Sequence, residues 1–200
     1  MDATLASRSE RRPDTRGDIV RTARRLLLTH SYLGLNFQAL ADLIGIRKAS
    51  LYHHFPSKLA VGQAVVDDSA KRFHRWAETI AHQPPAQQLT AYLHMLRDAL
   101  AAGGMVCPIG ATAGEWAGLE PDLQETVKRF HLLQLDWLEA RAAQLPSLSQ
   151  CGTSVSPRQW AAHFNATCQG ALLNARMHGD VSWYEHAIAP LLGALASAPH

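Results

Sequence analysis

The chain has 200 residues, 47% of them hydrophobic and 18% charged, with a formal net charge of +2. That length suits one large domain or a small domain fused to a medium one, and the apolar fraction supplies a sizeable core. No apolar run of about eighteen residues occurs, and the start MDATLASRSERRPDTR is polar, so neither a membrane span nor a secretory signal is expected.

Helical periodicity dominates and strand-like alternation is nearly absent. Asp14 or Thr15 opens a first helix with Ile19, Ala23, Leu26, Leu27 and His30 on one face, and Ser31 to Leu35 form a short connection. Asn36 is a good N-cap, because its side-chain oxygen can accept a bond from an orphan backbone N–H. Behind it Phe37, Leu40, Ala41 and Ile44 recur at i, i+3, i+4 and i+7. Gly45 ends this helix, since glycine tolerates the left-handed conformation that follows a helix C-terminus. A third helix spans about Arg47 to His54, Pro56 breaks it, and Ser57 caps a fourth that reaches about Ile80. A fifth runs from about Ala86 to Ala101, between Pro84-Pro85 and Gly103-Gly104. Pro108 starts a short sixth, rich in small residues and ending near Gly118; Pro121 starts a long seventh to about Leu145. Residues 146–156 read as a loop. Pro157 opens an eighth helix to about His178, and Ser182 caps a ninth after the Gly179-Asp180 turn. The expectation is an all-α chain of about nine helices: a flexible basic arm (1–14), a three-helix head (15–60) and a larger body (61–200).

Charge is uneven along the chain. Residues 1–60 hold ten Lys/Arg against five Asp/Glu, a net +5, and the rest hold nine against twelve, a net −3. A basic head on a mildly acidic body suits contact with a polyanion, although an unevenly charged solvated surface gives the same totals. Three cysteines without paired spacing, Cys107, Cys151 and Cys168, point to a reducing cytoplasm rather than a disulfide framework.

The stretch GIRKASLYHHFPSK, residues 45–58, concentrates the chemistry of the head. Short helices with a tight glycine turn between the second and third form a helix-turn-helix pattern. In that geometry the second helix of the motif enters the major groove and its N-terminal residues reach base edges. Arg47 and Lys48 stand there as donors to guanine or phosphate, and the small Ala49 and Ser50 permit close approach. Leu51 and Phe55, four residues apart, point into the core, whereas Tyr52, His53, His54 and Lys58 face outward or sideways as donors to phosphate. Adjacent histidines diverge by about 100° on a helix and cannot easily share a metal. With no HExxH and no paired CxxC spacing, no metal and no cofactor is expected. A small hydrolase or metal enzyme drawing on the eleven histidines lacks a nucleophile elbow and a phosphate-binding glycine loop. A non-specific DNA binder is a further alternative, distinguished by the lack of a preferred palindrome and by affinity set almost wholly by salt.

The segment FQALADLIGIRKASLYHHFPSKLAV resembles the DNA-binding signature of TetR-family transcriptional regulators, with Ala41, Gly45, Leu51-Tyr52, His54-Phe55 and Lys58 at the family's spacing. The resemblance covers about residues 15–60 closely, and the helical remainder fits the family's looser ligand-binding domain. It implies that Asn36 and Phe37 begin the helix resting on the DNA backbone and that Gln38 stands where some members touch bases or phosphate. It also implies that Arg47, Lys48, Ala49 and Ser50 read bases, that Tyr52, His53 and His54 contact backbone and base edges, and that Lys58 binds phosphate. Ser31 stands where a glycine is usual, and Ala49 replaces a frequent glycine; neither alters a donor. Arg8, Arg11, Arg12 and Arg16 before the first helix can lie along phosphates or enter the minor groove, and a disordered tail is compatible with both.

A head this small gains selectivity by spanning two half-sites as a symmetric dimer. The seventh helix is apolar on more than one side and the eighth carries Ala161, Ala162, Ala166, Gly170, Ala171 and Ala175, so helices at about 121–145 and 157–178 are the candidate homodimer seam. In the family such helices form a four-helix bundle across the dimer. The resemblance further implies that helices four to seven enclose a small-molecule effector pocket, for which the candidate lining is Phe73, Trp76, Tyr92, His94, Met95, Trp116, Phe130, His131 and Trp137, with Phe164 and Asn165 beside them. Such a lining suits a small apolar or aromatic ligand held by one or two hydrogen bonds. His94 or His131 can equally be a satisfied core histidine. In GGMVCPIGATAGEW, residues 103–116, Cys107, Gly110 and Glu115 resemble a segment of a TetR subgroup in which some members sense electrophiles or oxidants, although Val106 replaces the usual glycine. Cys107 sits before a helix N-terminus, which favours a thiolate, so it is a candidate sensor and effector contact; a buried structural thiol is the other reading. Cys168 reads as packing, and Cys151 has no evident partner. The expected function is a cytoplasmic, ligand-responsive repressor of operator DNA without enzymatic activity, the alternative being a repressor switched by modification of Cys107.

Overall fold

The computed structural model describes residues 14–145 and 155–197, and all regular structure among them is helical. Arg8, Arg11, Arg12, Cys151 and most of the expected loop at 146–156 lie outside the described residues. The helices are α1 (Thr15–Thr29), α2 (Phe37–Ile44), α3 (Lys48–His54), α4 (Lys58–Thr79), α5 (Pro85–Ala101), α6 (Pro108–Ala113), α7 (Pro121–Ala142), α8 (Pro157–His178) and α9 (Ser182–Ala196).

Local chemistry sets most of these limits. Asp14 caps α1 by accepting from the Gly17 N–H at 2.9 Å, so Arg16 is a helical residue rather than part of an arm, and its guanidinium lies 4.5 Å from the centre of the Phe55 ring. Asn36 caps α2 by accepting from the N–H groups of Gln38 and Ala39. Gly45 takes φ 77°, and the N–H groups of Gly45 and Ile46 both return to the Ala41 carbonyl, which turns the chain into α3. Ser57 caps α4, and Ser156 with Gln159 forms a reciprocal capping box on α8. Three boundaries differ from expectation. The sixth helix stops at Ala113, and a separate 3₁₀ turn, Trp116–Gly118, follows. The seventh ends at Ala142 rather than Leu145. Ser182 is the first residue of α9, not its cap: the Asp180 carboxylate accepts from both its N–H (2.8 Å) and its hydroxyl (2.7 Å), because Asp two residues earlier is placed to close the turn.

One core runs the length of the molecule. In the head, Ile19, Ala23 and Leu27 of α1 meet Leu40 of α2 and Leu51 of α3, all fully buried; Leu26 is only partly buried and His30 is exposed, since α1 ends there. The 22 residues of α4 extend about 33 Å from this head into the body. Helix α7 is the centre of the body, packed by α4, α5, α6 and α8, and α9 closes over α5 and α8. No helix among the described residues is long and apolar enough to cross a membrane.

The head is tied to the body at several points. The Tyr32 hydroxyl donates to the Glu120 carboxylate at 2.9 Å, and Tyr32 lies so close to α4 that a Cβ on Gly62 would sit 2.7 Å from its ring. Leu33 N–H donates to Glu115 Oε2 at 3.0 Å, and Val106 N–H to the Leu28 carbonyl at 3.2 Å. From α8, the Arg176 guanidinium donates to the Thr29 and His30 carbonyls, both at 2.7 Å, and so satisfies the C-terminal end of α1.

Candidate nucleic-acid interface and cavity

Helix α3 is held by one buried side and leaves the other free. Leu51 and Phe55 are 0% and 1% exposed, which fixes its rotation against α1 and α2. Arg47, Lys48 and Ala49 at its leading end, and Tyr52 and His53 on its flank, are exposed; Ser50 and His54 are half-buried. The rings of His53 and His54 are 5.5 Å apart and tilted by 74°, as expected for neighbours on a helix. On α2, Phe37 is buried and packs against the Tyr52 ring at 5.1 Å, so it shapes this surface from beneath. Asn36 spends its side-chain oxygen on the cap, and the Gln38 amide donates to Asp42 at 2.9 Å. Lys58, half-buried, donates to the Leu33 carbonyl at 2.9 Å and lies 4.6 Å from the Tyr32 ring centre, so in this structure it fastens the linker before α2.

The body holds a cavity of about 270 Å³. Phe73 and Trp76 from α4, Met95 from α5, Cys107 at the start of α6 and Phe130 from α7 line it, all from the sequence-predicted set. Behind them Trp137 and Tyr92 stack at 5.9 Å, and Phe73 meets Trp137 at 5.6 Å. Phe164 and Asn165 pack behind Tyr92, whose hydroxyl receives the Asn165 amide at 3.5 Å. Three predicted residues lie elsewhere. His94 is exposed on the outer side of α5. Trp116 lies in the 3₁₀ turn beside α7, with Lys128 5.8 Å from its ring centre. His131 turns away towards α8, where burial and then Arg158 hold its pKa below the usual 6.5. His94 and His131 each adjoin a lining residue, Met95 and Phe130, and so point about 100° away from the inward face.

The cavity also has walls that sequence reasoning missed. Arg24 and Leu28 of α1 line it, together with Ser69, Arg72, Leu96, Met105, Val106 and Gln134. Part of the head is therefore part of the cavity. The Cys107 thiol is buried, and it donates to Gln134 Oε1 at 3.8 Å. The expected lowering of its pKa is not what the geometry produces. Burial raises it, and bonds from the Ile109 and Gly110 backbone and from nearby glutamine side chains only partly offset this. Cys168 is fully buried among apolar neighbours, as expected of a packing residue.

The two helices of the expected seam differ in what they leave open. Buried residues of α7 face its own protomer, while its outer side carries Glu125, Lys128, Arg129 and Asp136 together with the exposed Leu132. A broader open apolar and small-residue surface lies on α8 (Ala162, Ala166, Gly170, Leu173, Met177) and continues onto α9 at Trp183 and Ala187. The breadth of apolar residues on α7 reflects its central place among four helices.

A family model described as "Bacterial regulatory proteins, tetR family" matches residues 19–65, and one described as "Tetracyclin repressor-like, C-terminal domain" matches residues 86–191. The chain belongs to the TetR family. It is thus a DNA-binding transcription regulator with a ligand-binding C-terminal domain, and not an enzyme. Among solved structures, a TetR-family regulator from Agrobacterium tumefaciens is 28% identical with a TM-score of 0.83, covering 92% of this chain and 98% of that one. A TetR regulator from Chloroflexus aurantiacus is 25% identical with a TM-score of 0.76, covering 92% and 95%. The reduced form of NemR from E. coli shares the fold at 21% identity and a TM-score of 0.73, covering 88% and 94%. No curated protein matches the chain.

Proposed function

We propose that this TetR regulator acts in the cytoplasm as a homodimeric repressor, released from a two-fold symmetric operator when a small apolar or aromatic effector enters the cavity. The observation that carries this reading is the shared wall: Arg24 and Leu28 belong to α1 of the DNA-binding head, yet they line the cavity of the body. A ligand there touches both parts at once. Occupancy selects a body conformation in which the two heads no longer fit adjacent major-groove segments, provided the ligand favours that state over the DNA-bound one.

On this reading Arg47, Lys48, Ala49 and Ser50 approach base edges, and Tyr52, His53, His54 and Gln38 meet the backbone, with Lys58 leaving the Leu33 carbonyl to bind phosphate. Asn36 and Phe37 set the angle of α2. Dimerisation uses the small-residue face of α8 with α9, which permits close helix approach. The test is displacement: operator selected from random duplexes, bound to purified protein, is titrated with extracts and candidate small molecules. Release by a compound that also raises the protein's melting temperature supports the reading; a cavity ligand that leaves operator affinity unchanged contradicts it.

A second reading, a covalent switch at Cys107, has in its favour that this residue lines the same cavity. Burial pushes the thiol pKa up, which disfavours the thiolate that such a switch needs. Loss of an electrophile response in Cys107→Ser separates the two readings.

A further inference from the structure

We propose that the effector is a small monocarboxylate with an apolar body, its acid group seated between the guanidinium groups of Arg24 and Arg72. The inference rests on the reading of the cavity as the effector site and specifies the chemistry that site selects.

The cavity wall is mostly apolar, with Phe73, Trp76, Met95 and Phe130 forming its largest surfaces, and among its lining residues only Arg24 and Arg72 are charged. Arg24 Nε is shielded from solvent and has no hydrogen-bond partner among the described residues. A buried donor on a cation that lacks an acceptor is costly unless something else supplies one. Arg72 spends its own Nε on Asp68 Oδ2 at 2.6 Å. Asp68 is the carboxylate that acts on both cations, so one positive charge is left over at this end of the cavity. Behind Arg72, the groove between α1 and α4 carries Asp14 and Asp67 against Arg16, Arg21 and Lys71, and so adds no net negative charge.

An excess of one charge fits a monoanion. A guanidinium offers parallel donors that match the two oxygens of a carboxylate. Burial and the nearby Arg72 both work against the charge on Arg24, and an anion in the cavity reverses that balance. The volume of about 270 Å³ limits the apolar body to a ring or a short chain. Because Arg24 stands on α1, the acid group would pull on the head itself, whereas the body of the ligand touches α4, α5 and α7.

The test uses the full chain, free of bound small molecules, and three acids: benzoate, 3-phenylpropionate and octanoate. Each is compared with its own primary amide by thermal shift and by quenching of tryptophan fluorescence, Trp76 being in the wall. At least one acid is expected to bind roughly tenfold or more tightly than its amide. Arg24→Met and Arg72→Met are each expected to bring that acid down to the level of the amide. If no acid in the set outbinds its amide, the inference is overturned, and it is equally overturned if the preference survives both substitutions. Should either variant fail to fold, the acid–amide difference in the unaltered chain decides alone. An amide that binds and releases the selected operator as well as its acid would sink this inference while leaving the effector reading intact.

Discussion

The head and the body place their polar groups in opposite ways. At and along α3, Arg47, Lys48, Tyr52 and His53 stand in solvent over a fully packed base of Leu40, Leu51 and Phe55. In the body and at its border, polar atoms such as Trp137 Nε1 and Arg24 Nε are enclosed without a partner among the described residues. A surface that reads DNA can keep its donors hydrated until docking, because phosphates and base edges come to it. A site that selects a small molecule has its donors already desolvated, so a ligand that satisfies them gains more than water could offer. The two regions meet at α1, whose one face packs the head and whose other end closes the cavity.

Changes that break this division should differ in size. The largest effect is expected from charges on the open face of α8: Ala166→Glu together with Gly170→Glu should cost on the order of 3–5 kcal/mol of association. Sedimentation should then show monomers, and a variant that stays dimeric would move the seam elsewhere. Leu51→Ala removes a side chain with 0% exposure and should cost about 2–5 kcal/mol in thermal unfolding. The same substitution at an exposed head position such as Leu43 should leave the melting temperature nearly unchanged. Arg176→Met removes two bonds to the end of α1 and should weaken head–body docking by about 1.5–3 kcal/mol. Faster amide exchange in α1 with little change in α5 would report it. Arg47→Ala should cost about 1–3 kcal/mol at particular operator bases, whereas Lys58→Ala should weaken all sequences alike. The smallest effect concerns pH. His131 has a lowered pKa in the folded chain, so the unfolded chain binds more protons near pH 6.5. Stability is therefore full above that pH and declines as acid is added; His131→Gln should flatten the decline in melting temperature.

The head was largely legible because its signals are local. Asn36, Gly45 and Ser57 mark helix ends within a few residues, and the inward face of α2 repeats within two turns. The cavity was legible only in part. Phe73, Trp76, Met95 and Phe130 are visible as large apolar residues on helices expected to enclose a pocket. Arg24 was not, because it reads as one more cation of a basic head; the packing of α1 against α4 and α6 brings it to the cavity. How two chains would meet is hard to read for a related reason. An apolar run on α7 signals burial, but nothing in the run says whether the cover is the same chain or another. Cys107 shows competition between effects: its place before a helix start is local and readable, and the burial that outweighs it is not.

The central claim is that α3 presents Arg47 and Lys48 to adjacent grooves twice per dimer. Selection of bound duplexes from a random pool, with protein freed of small molecules and at low salt, tests it most directly. The account predicts enrichment of one two-fold symmetric sequence with half-sites about one helical turn apart or a multiple of it. Recovery of no symmetric sequence, with affinity following salt concentration alone, would contradict it.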